Sequence, residues 1–286
     1  MIKRVGTDFD KEVRYKLYRT VKDLITPSIS KVNISNYRIV FDDNLLPVRV
    51  FYPKRVSDIN KVIIYVPGDG TITNCFSKYS DICSNLALEL DKMIIAIDYT
   101  NIMNTYPSSL DKIEEIIKYL YKELINSGIT NENITLMGDS TGGNYISSIT
   151  FRFIKENLDY INKEILLYPL LSGDYSNKSK YQSILNSTNK SFIDSVRKYM
   201  KKYATIKENL KLEDVCPILN SDYNKYPKTL IVTGELDPLK DEAEEFYKHL
   251  NNDSKYLNIT LASHGFINSN DFDIKKELLN GIKEFI

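Results

Sequence analysis

The sequence predicts a doubly wound α/β fold, in which helices flank a mostly parallel sheet of about eight strands. Two observations lead to this prediction. Short, continuous apolar runs recur along the chain, as at 61–66 and 93–97, and such runs are typical of central parallel strands. Between them lie longer segments whose apolar residues are three or four positions apart, as in helices that pack on one side. The repeated alternation of the two patterns indicates βαβ units, whose crossovers build a parallel sheet.

The elements follow in a regular order. A helix is predicted over residues 7–23; it ends before Pro27 and packs on the rest of the protein. A pair of strands is predicted at 37–40 and 48–52, joined by the turn Asp42-Asp43-Asn44. In chain order, the remaining predictions are strand 61–66, a helix through Leu86, strand 93–97, a helix from Pro107 to its cap at Gly128, strand 134–137 with its helix, strand 164–168, strand 229–233, a helix through Phe246, strand 257–261 and a helix through Leu278.

The stretch from 172 to 214 interrupts this rhythm. It is polar, and its clearest element is a helix with Phe192, Val196, Tyr199 and Tyr203 along one face. We expect an insertion that forms part of a lid over a single domain spanning 1–286. The basic residues of the same helix could form a nucleic-acid patch, but their alternation with the apolar stripe favours a solvated helix face.

Composition excludes several classes of function. The chain has 38 Lys and Arg and 38 Asp and Glu, so no net field recruits nucleic acid or an anionic membrane. The start lacks the apolar run of a signal peptide, and no stretch is long enough for stable membrane insertion. Cys75, Cys83 and Cys216 show neither paired nor ligand-like spacing. We therefore expect a cytoplasmic protein with buried thiols, without a metal site or cofactor.

The segment Gly138-Asp139-Ser140-Thr141-Gly142 lies between a predicted strand and a predicted helix. A Gly-x-Ser-x-Gly in this context is the nucleophile elbow, in which the serine stands on a tight, strained turn. Gly138 and Gly142 leave room that a Cβ would fill, and the helix directs its positive end at the serine. A glycine-rich turn without chemistry would look the same, so Ser140 as nucleophile requires partners.

Only two histidines could serve as the base that Ser140 needs. His249 lies within an amphipathic helix and is interpreted as a surface residue. His264 directly follows the last predicted strand, which puts it at the carboxyl edge of the sheet beside Ser140. We therefore expect His264 to be the base.

The acid that orients the imidazole should come from another loop at that edge. Three carboxylates after strand 229–233 compete: Glu235, Asp237 and Asp241. Asp241 is placed to begin the next helix, where an acidic residue is expected for structural reasons. Asp237 stands at the loop apex before Pro238 and is the predicted acid. The agreement of three separate placements is stronger evidence than the elbow alone.

With these residues in view, the chain resembles the hormone-sensitive-lipase-type esterases of the α/β-hydrolase superfamily over nearly its whole length. The matching stretches are Gly-Asp-Ser-Thr-Gly-Gly at 138–143, Tyr-Pro at 168–169, Asp-Pro-Leu-Lys-Asp-Glu at 237–242 and His-Gly-Phe at 264–266. The resemblance implies the α/β-hydrolase fold, a Ser140–His264–Asp237 triad, and a helical cap formed by residues 1–35 and about 172–212 over an acyl pocket.

The loop that forms the family's oxyanion hole departs from its pattern. The family has His-Gly-Gly-Gly where this chain has Pro67, Gly68, Asp69 and Gly70. The resemblance implies that the backbone N–H groups of Asp69, Gly70 and Thr141 stabilise the oxyanion. Pro67 lacks the imidazole that helps to orient this loop, and a carboxylate at Asp69 would oppose the developing charge if it turned inward.

The leading hypothesis is a hydrolase of small carboxylic esters with short acyl chains, which acts through an acyl-enzyme on Ser140. Cleavage of amides, peptides or thioesters by the same triad is an alternative. An alternative from a different functional class is a non-catalytic ligand-binding protein on a hydrolase fold. Only the altered oxyanion loop supports this alternative.

Overall fold

The computed structural model describes residues 32–41, 44–54, 60–68, 75–99, 105–173, 175–176 and 179–286. The predicted helix over 7–23, the turn at 42–43, and Asp69 and Gly70, which were predicted to contribute to the oxyanion hole, lie outside these ranges. Residues 32–35, which the sequence placed at the end of the first cap segment, belong to the first strand of the sheet.

An eight-stranded sheet forms the centre of the molecule. Its strands are β1 (Val32–Phe41), β2 (Asn44–Pro53), β3 (Val62–Val66), β4 (Met93–Ile97), β5 (Ile134–Asp139), β6 (Lys163–Leu167), β7 (Lys228–Gly234) and β8 (Lys255–Ile259). Their spatial order is β1-β2-β4-β3-β5-β6-β7-β8. β2 pairs antiparallel with β1 and β4, whereas all other pairs are parallel. The predicted α/β class and mostly parallel sheet are confirmed.

Helices connect the strands and cover both faces. They are α1 (Cys75–Leu90), α2 (Ser108–Asn126), α3 (Thr141–Lys155), α4 (Gln182–Asn186), α5 (Lys190–Ala204), α6 (Lys240–His249) and α7 (Phe272–Phe285). No helix within the described ranges is both long and apolar enough to cross a membrane.

The central strand β3 is buried on both faces because its side chains alternate between two cores. Ile64 packs with residues of α2 and α3, whereas Ile63 and Tyr65 pack with residues of α1 and α7. A strand covered on both sides has no polar face, which is why its sequence is a continuous apolar run. The helix α2 ends as predicted, with Gly128 in the left-handed region at φ +95° after the cap residue.

Two strands end earlier than predicted. β8 ends at Ile259 rather than 261, because Leu261 has a left-handed backbone (φ +58°) and a side chain that is 72% exposed. Similarly, β6 ends at Leu167, and Tyr168 has φ +37°. In both places an apolar residue continues the strand pattern in the sequence, while the backbone has already turned out of the sheet.

Candidate active site

Ser140 joins β5 to α3 with a strained backbone. Its φ of 50° and ψ of −116° are rare for a residue with a Cβ, and such strain persists only where the surroundings enforce it. The Ser140 N–H donates to Leu167 O of β6 (2.9 Å), and Ser140 O accepts from Leu170 N (3.1 Å). The turn is therefore fixed to the neighbouring strand, and the serine is held out at the carboxyl edge of the sheet.

The glycines beside Ser140 are required by close backbone contacts, as the sequence predicted. A Cβ on Gly142 would lie 2.0 Å from Val66 O, and one on Gly138 would lie 2.7 Å from the Gly142 carbonyl carbon. Both separations are far shorter than any van der Waals contact. Glycine at 142 thus lets the elbow sit against the end of β3, and glycine at 138 lets the turn close on itself.

His264 reaches Ser140 from the loop after β8. Its Nε2 lies 2.9 Å from Ser140 Oγ, and its side chain is only 14% exposed. The imidazole packs edge-on against Tyr168, with ring centroids 4.8 Å apart, and tilted against Phe192 at 4.4 Å. Aromatic rings on two sides therefore restrict the imidazole to an orientation that faces the serine.

Asp237 lies on the far side of the imidazole. Its Oδ2 is 2.9 Å from His264 Nδ1, and its Oδ1 accepts a hydrogen bond from Leu239 N (2.8 Å). The carboxylate side chain is fully buried. This arrangement favours the tautomer with hydrogen on Nδ1, which leaves Nε2 free to accept the serine proton.

The competing residues occupy other positions. Asp241 is in the first turn of α6 and accepts from Ser183 N (2.7 Å), while Glu235 accepts from Leu261 N (2.9 Å). His249 is the last residue of α6, is exposed, and stacks on Tyr223. The structure thus brings Ser140, His264 and Asp237 together, and it leaves these three alternatives in structural roles.

Of the three residues predicted for the oxyanion hole, Thr141 is the one within the described ranges. It is the first residue of α3, so the helix leaves its N–H without an internal acceptor. Its hydroxyl donates to Gly68 O, which links the start of α3 to the loop after β3. The positive end of the α3 dipole points at the same place.

Sequence reasoning missed the role of Asp139, which precedes the serine. Its buried carboxylate accepts hydrogen bonds from Gly68 N (2.8 Å) and from the hydroxyls of Tyr65 (2.5 Å), Tyr79 (3.2 Å) and Tyr168 (3.2 Å). Burial raises the pKa of Asp139, and these hydrogen bonds lower it in part. The sequence feature that could have indicated this buried, hydrogen-bonded carboxylate is a charged residue at the end of an apolar strand, in a chain with 21 tyrosines.

The helix α5 lies over the site. A cavity of about 230 Å³ lies between α5 and the carboxyl edge of the sheet. Ser140 and His264 line its floor, and Phe192, Val196 and Tyr199 of α5 line its roof. The apolar stripe predicted for α5 thus forms the wall of the cavity that faces Ser140.

Two hydrogen bonds to the buried Glu242 fix the segment that follows β6. Glu242 accepts from Leu171 N (2.8 Å) and from the Tyr175 hydroxyl (3.0 Å). Burial raises the pKa of Glu242 to about 8, and the two hydrogen bonds lower it in part.

Among the described residues, no group of three His, Cys, Asp or Glu side chains could hold a metal ion.

Comparison with known proteins identifies the family. A family model described as alpha/beta hydrolase fold matches residues 63–268, which is more than half of the chain. A protein of Acanthamoeba polyphaga mimivirus described as an alpha/beta hydrolase is 25% identical over 225 residues, or 78% of this chain and 64% of that relative. The chain therefore spans slightly less than two thirds of this relative's length.

Two relatives have more specific names. An arylesterase of Saccharolobus solfataricus is 23% identical over 84% of this chain and 78% of its own length. An ethyl acetate hydrolase of Pseudomonas putida is 22% identical over 73% of this chain and 66% of its own length.

Solved structures share the fold. An arylesterase structure aligns with a TM-score of 0.78 at 19% identity, over 96% of this chain and 91% of that one. The esterase of Pyrobaculum calidifontis aligns with the same TM-score and identity, over 96% and 90%. The matched family model shows that the chain belongs to the alpha/beta hydrolase fold family, and it is of the hormone-sensitive-lipase type.

Proposed function

We propose that this hydrolase cleaves carboxylic esters, with Ser140 as nucleophile, His264 as general base and Asp237 as the acid that orients it. The observation that carries the proposal is the continuous chain of two 2.9 Å contacts from Ser140 Oγ through the imidazole to a buried carboxylate. A serine hydroxyl becomes a useful nucleophile only when a base lies within such reach. The esterase names of the relatives support the same class of substrate.

The first half-reaction transfers the acyl group to the enzyme. Ser140 Oγ attacks the ester carbonyl carbon while its proton passes to His264 Nε2, and the resulting imidazolium is stabilised by Asp237. The tetrahedral intermediate then collapses as Nε2–H protonates the leaving alcohol. The N–H of Thr141, together with those proposed for Asp69 and Gly70, stabilises the oxyanion, to which the α3 dipole adds a favourable field.

The second half-reaction returns the enzyme to its starting state. His264 Nε2 takes a proton from a water molecule, whose oxygen attacks the acyl carbon on Ser140. Collapse of the second tetrahedral intermediate breaks the bond to Ser140 Oγ, which recovers its proton from the imidazolium. The products are a carboxylic acid and an alcohol, and the sequence of steps needs no cofactor.

The substrates that we propose have short acyl chains. The cavity of about 230 Å³ is below the roughly 300–1,000 Å³ typical of sites for larger ligands. Leu170, Phe192 and Val196 give it an apolar wall, which suits a small acyl group. Tyr199, whose ring stacks 5.9 Å from that of Tyr203, also lines this cavity.

The test combines covalent labelling with turnover. A fluorophosphonate should label wild type at Ser140, and p-nitrophenyl acetate and butyrate should be hydrolysed with higher kcat/KM than the decanoate. Ser140→Ala should abolish the adduct and lower kcat by about a millionfold while the thermal unfolding profile stays close to that of wild type. A wild-type protein without adduct or turnover would indicate a ligand-binding protein. Faster cleavage of matched amides or thioesters would reassign the substrate.

A further inference from the structure

The carboxylate of Asp139 is held by an unusual set of donors. Oδ1 accepts from Tyr65 and from the Gly68 amide, and Oδ2 accepts from Tyr79 and Tyr168. We call the three tyrosines the tyrosine cradle. Asp139 is only 2% exposed, and burial of a carboxylate is costly unless its oxygens are well paired. A packed apolar residue would avoid that cost, so the position of the charge calls for a role beyond packing.

The single backbone group among these donors identifies what the carboxylate holds. Gly68 follows β3 and immediately precedes Asp69 and Gly70, the residues proposed for the oxyanion hole. Neighbouring contacts hold the same segment, since the Tyr99 hydroxyl donates to Pro67 O and the Thr141 hydroxyl donates to Gly68 O. Proline has no N–H, so every backbone polar group of Pro67 and Gly68 has a partner.

This segment also lies directly on the nucleophile elbow. A Cβ on Gly68 would be 2.2 Å from Asp139 O and 2.8 Å from Ser140 Cβ. The backbone can approach the serine this closely only because Gly68 has no side chain. A small rotation of the Gly68 peptide would therefore change the course of the backbone immediately before the proposed oxyanion donors.

We propose that Asp139, supported by the tyrosine cradle, is a positioning residue that fixes the Gly68 amide and thereby the direction of the oxyanion loop. Donors that are fixed before the reaction stabilise the oxyanion without reorganisation when charge develops. Pro67 has no imidazole that could orient this loop. The Asp139 carboxylate, which accepts a hydrogen bond from the Gly68 N–H, would orient it instead. The inference rests on the proposed function, because the oxyanion hole matters only if Ser140 forms an acyl-enzyme.

The chain provides a matched control. Glu164 on β6 is also fully buried, and it accepts from the Tyr226 hydroxyl (2.6 Å) and from Thr150 Oγ1 (2.9 Å). It is thus a second buried carboxylate with a tyrosine donor, but neither Glu164 nor Tyr226 lines the cavity over Ser140. Glu164→Gln and Tyr226→Phe measure the cost of disturbing such a pair without touching the oxyanion loop.

The experiment compares Asp139→Asn with Glu164→Gln by steady-state kinetics on p-nitrophenyl acetate and by hydrogen exchange. Because a neutral acceptor binds the Gly68 amide about half as strongly as a carboxylate, Asp139→Asn should lower kcat at least about tenfold. KM should stay within about threefold of wild type. Amide exchange in the peptide spanning 62–78 should become about tenfold faster in this variant and stay unchanged in Glu164→Gln, which should keep wild-type kcat.

Two results would overturn the proposal. One is a kcat for Asp139→Asn within about threefold of wild type, and the other is an equal loss of kcat in Glu164→Gln. If Asp139→Asn does not fold, Tyr65→Phe and Tyr79→Phe should still lower kcat, and equal values for Tyr226→Phe would refute the role. Hydrogen exchange requires no turnover and decides the anchoring separately, whereas fluorophosphonate labelling of wild-type Ser140 tests the proposed function.

Discussion

Replacing Asp237 with Asn tests whether a buried anion orients the base. The substitution keeps the shape of the side chain and an oxygen able to accept from Leu239 N, as Asp237 Oδ1 does at 2.8 Å. The amide nitrogen would then face His264 Nδ1 and favour the tautomer with hydrogen on Nε2. That tautomer cannot accept the proton of Ser140, so acylation should slow sharply.

The size of the effect follows from the lost charge. An imidazolium and a carboxylate whose charge centres are about 4 Å apart attract by about 4 kcal/mol at an effective dielectric constant of 20. The contact between His264 Nδ1 and Asp237 Oδ2 is 2.9 Å, and the carboxylate is excluded from solvent. Loss of about 4 kcal/mol from the transition state corresponds to about a thousandfold in kcat, and the tautomer change adds to it.

The assay is kcat and kcat/KM on p-nitrophenyl butyrate together with the rate constant for fluorophosphonate labelling. Asp237→Asn should lower all three by at least about a thousandfold, without loss of cooperative thermal unfolding. Asp241→Asn is the matched control, because Asp241 accepts a hydrogen bond from Ser183 N and does not contact His264 in the described structure. If Asp237→Asn stays within about tenfold of wild type, or if the two variants exchange phenotypes, the assignment of the acid is wrong.

Two further predictions concern other ionisable residues. His264→Ala should lower kcat on the same ester by about as much as Ser140→Ala does. The kcat of His249→Ala should stay within about twofold of wild type. A loss of kcat confined to His249→Ala would refute the choice of His264 as the base. Burial raises the pKa of Glu164 from 4.5 to about 7, so between these pH values the folded state holds a proton that the unfolded state has released. Wild-type stability should therefore fall relative to Glu164→Gln as pH rises from 4.5 to 7, by up to about 3 kcal/mol, as measured by urea unfolding. A difference independent of pH would show that the carboxyl titrates normally.

Much of the architecture could be predicted from local patterns. A strand buried on both faces must be apolar throughout, so the run through Ile64 identified a central strand without knowledge of its neighbours. The elbow could be predicted because its turn admits only small residues beside Ser140. The placement of Asp237 and His264 in loops at the same sheet edge as Ser140 followed from counting strands, because parallel strands end together.

The tertiary structure decided what depends on register and packing. Tyr65 and Asp139 are 74 residues apart, and their hydroxyl and carboxylate meet only because β3 pairs with β5 in one register. Likewise, Glu235, Asp237 and Asp241 all follow β7 closely, and only the course of the backbone after β7 places the Asp237 carboxylate 2.9 Å from His264 Nδ1. The sequence by itself determined the fold class and the sheet edge at which the candidate residues lie, because periodicity and turn chemistry are local properties. Which atoms come within hydrogen-bond reach was decided by long-range packing, which no short segment encodes.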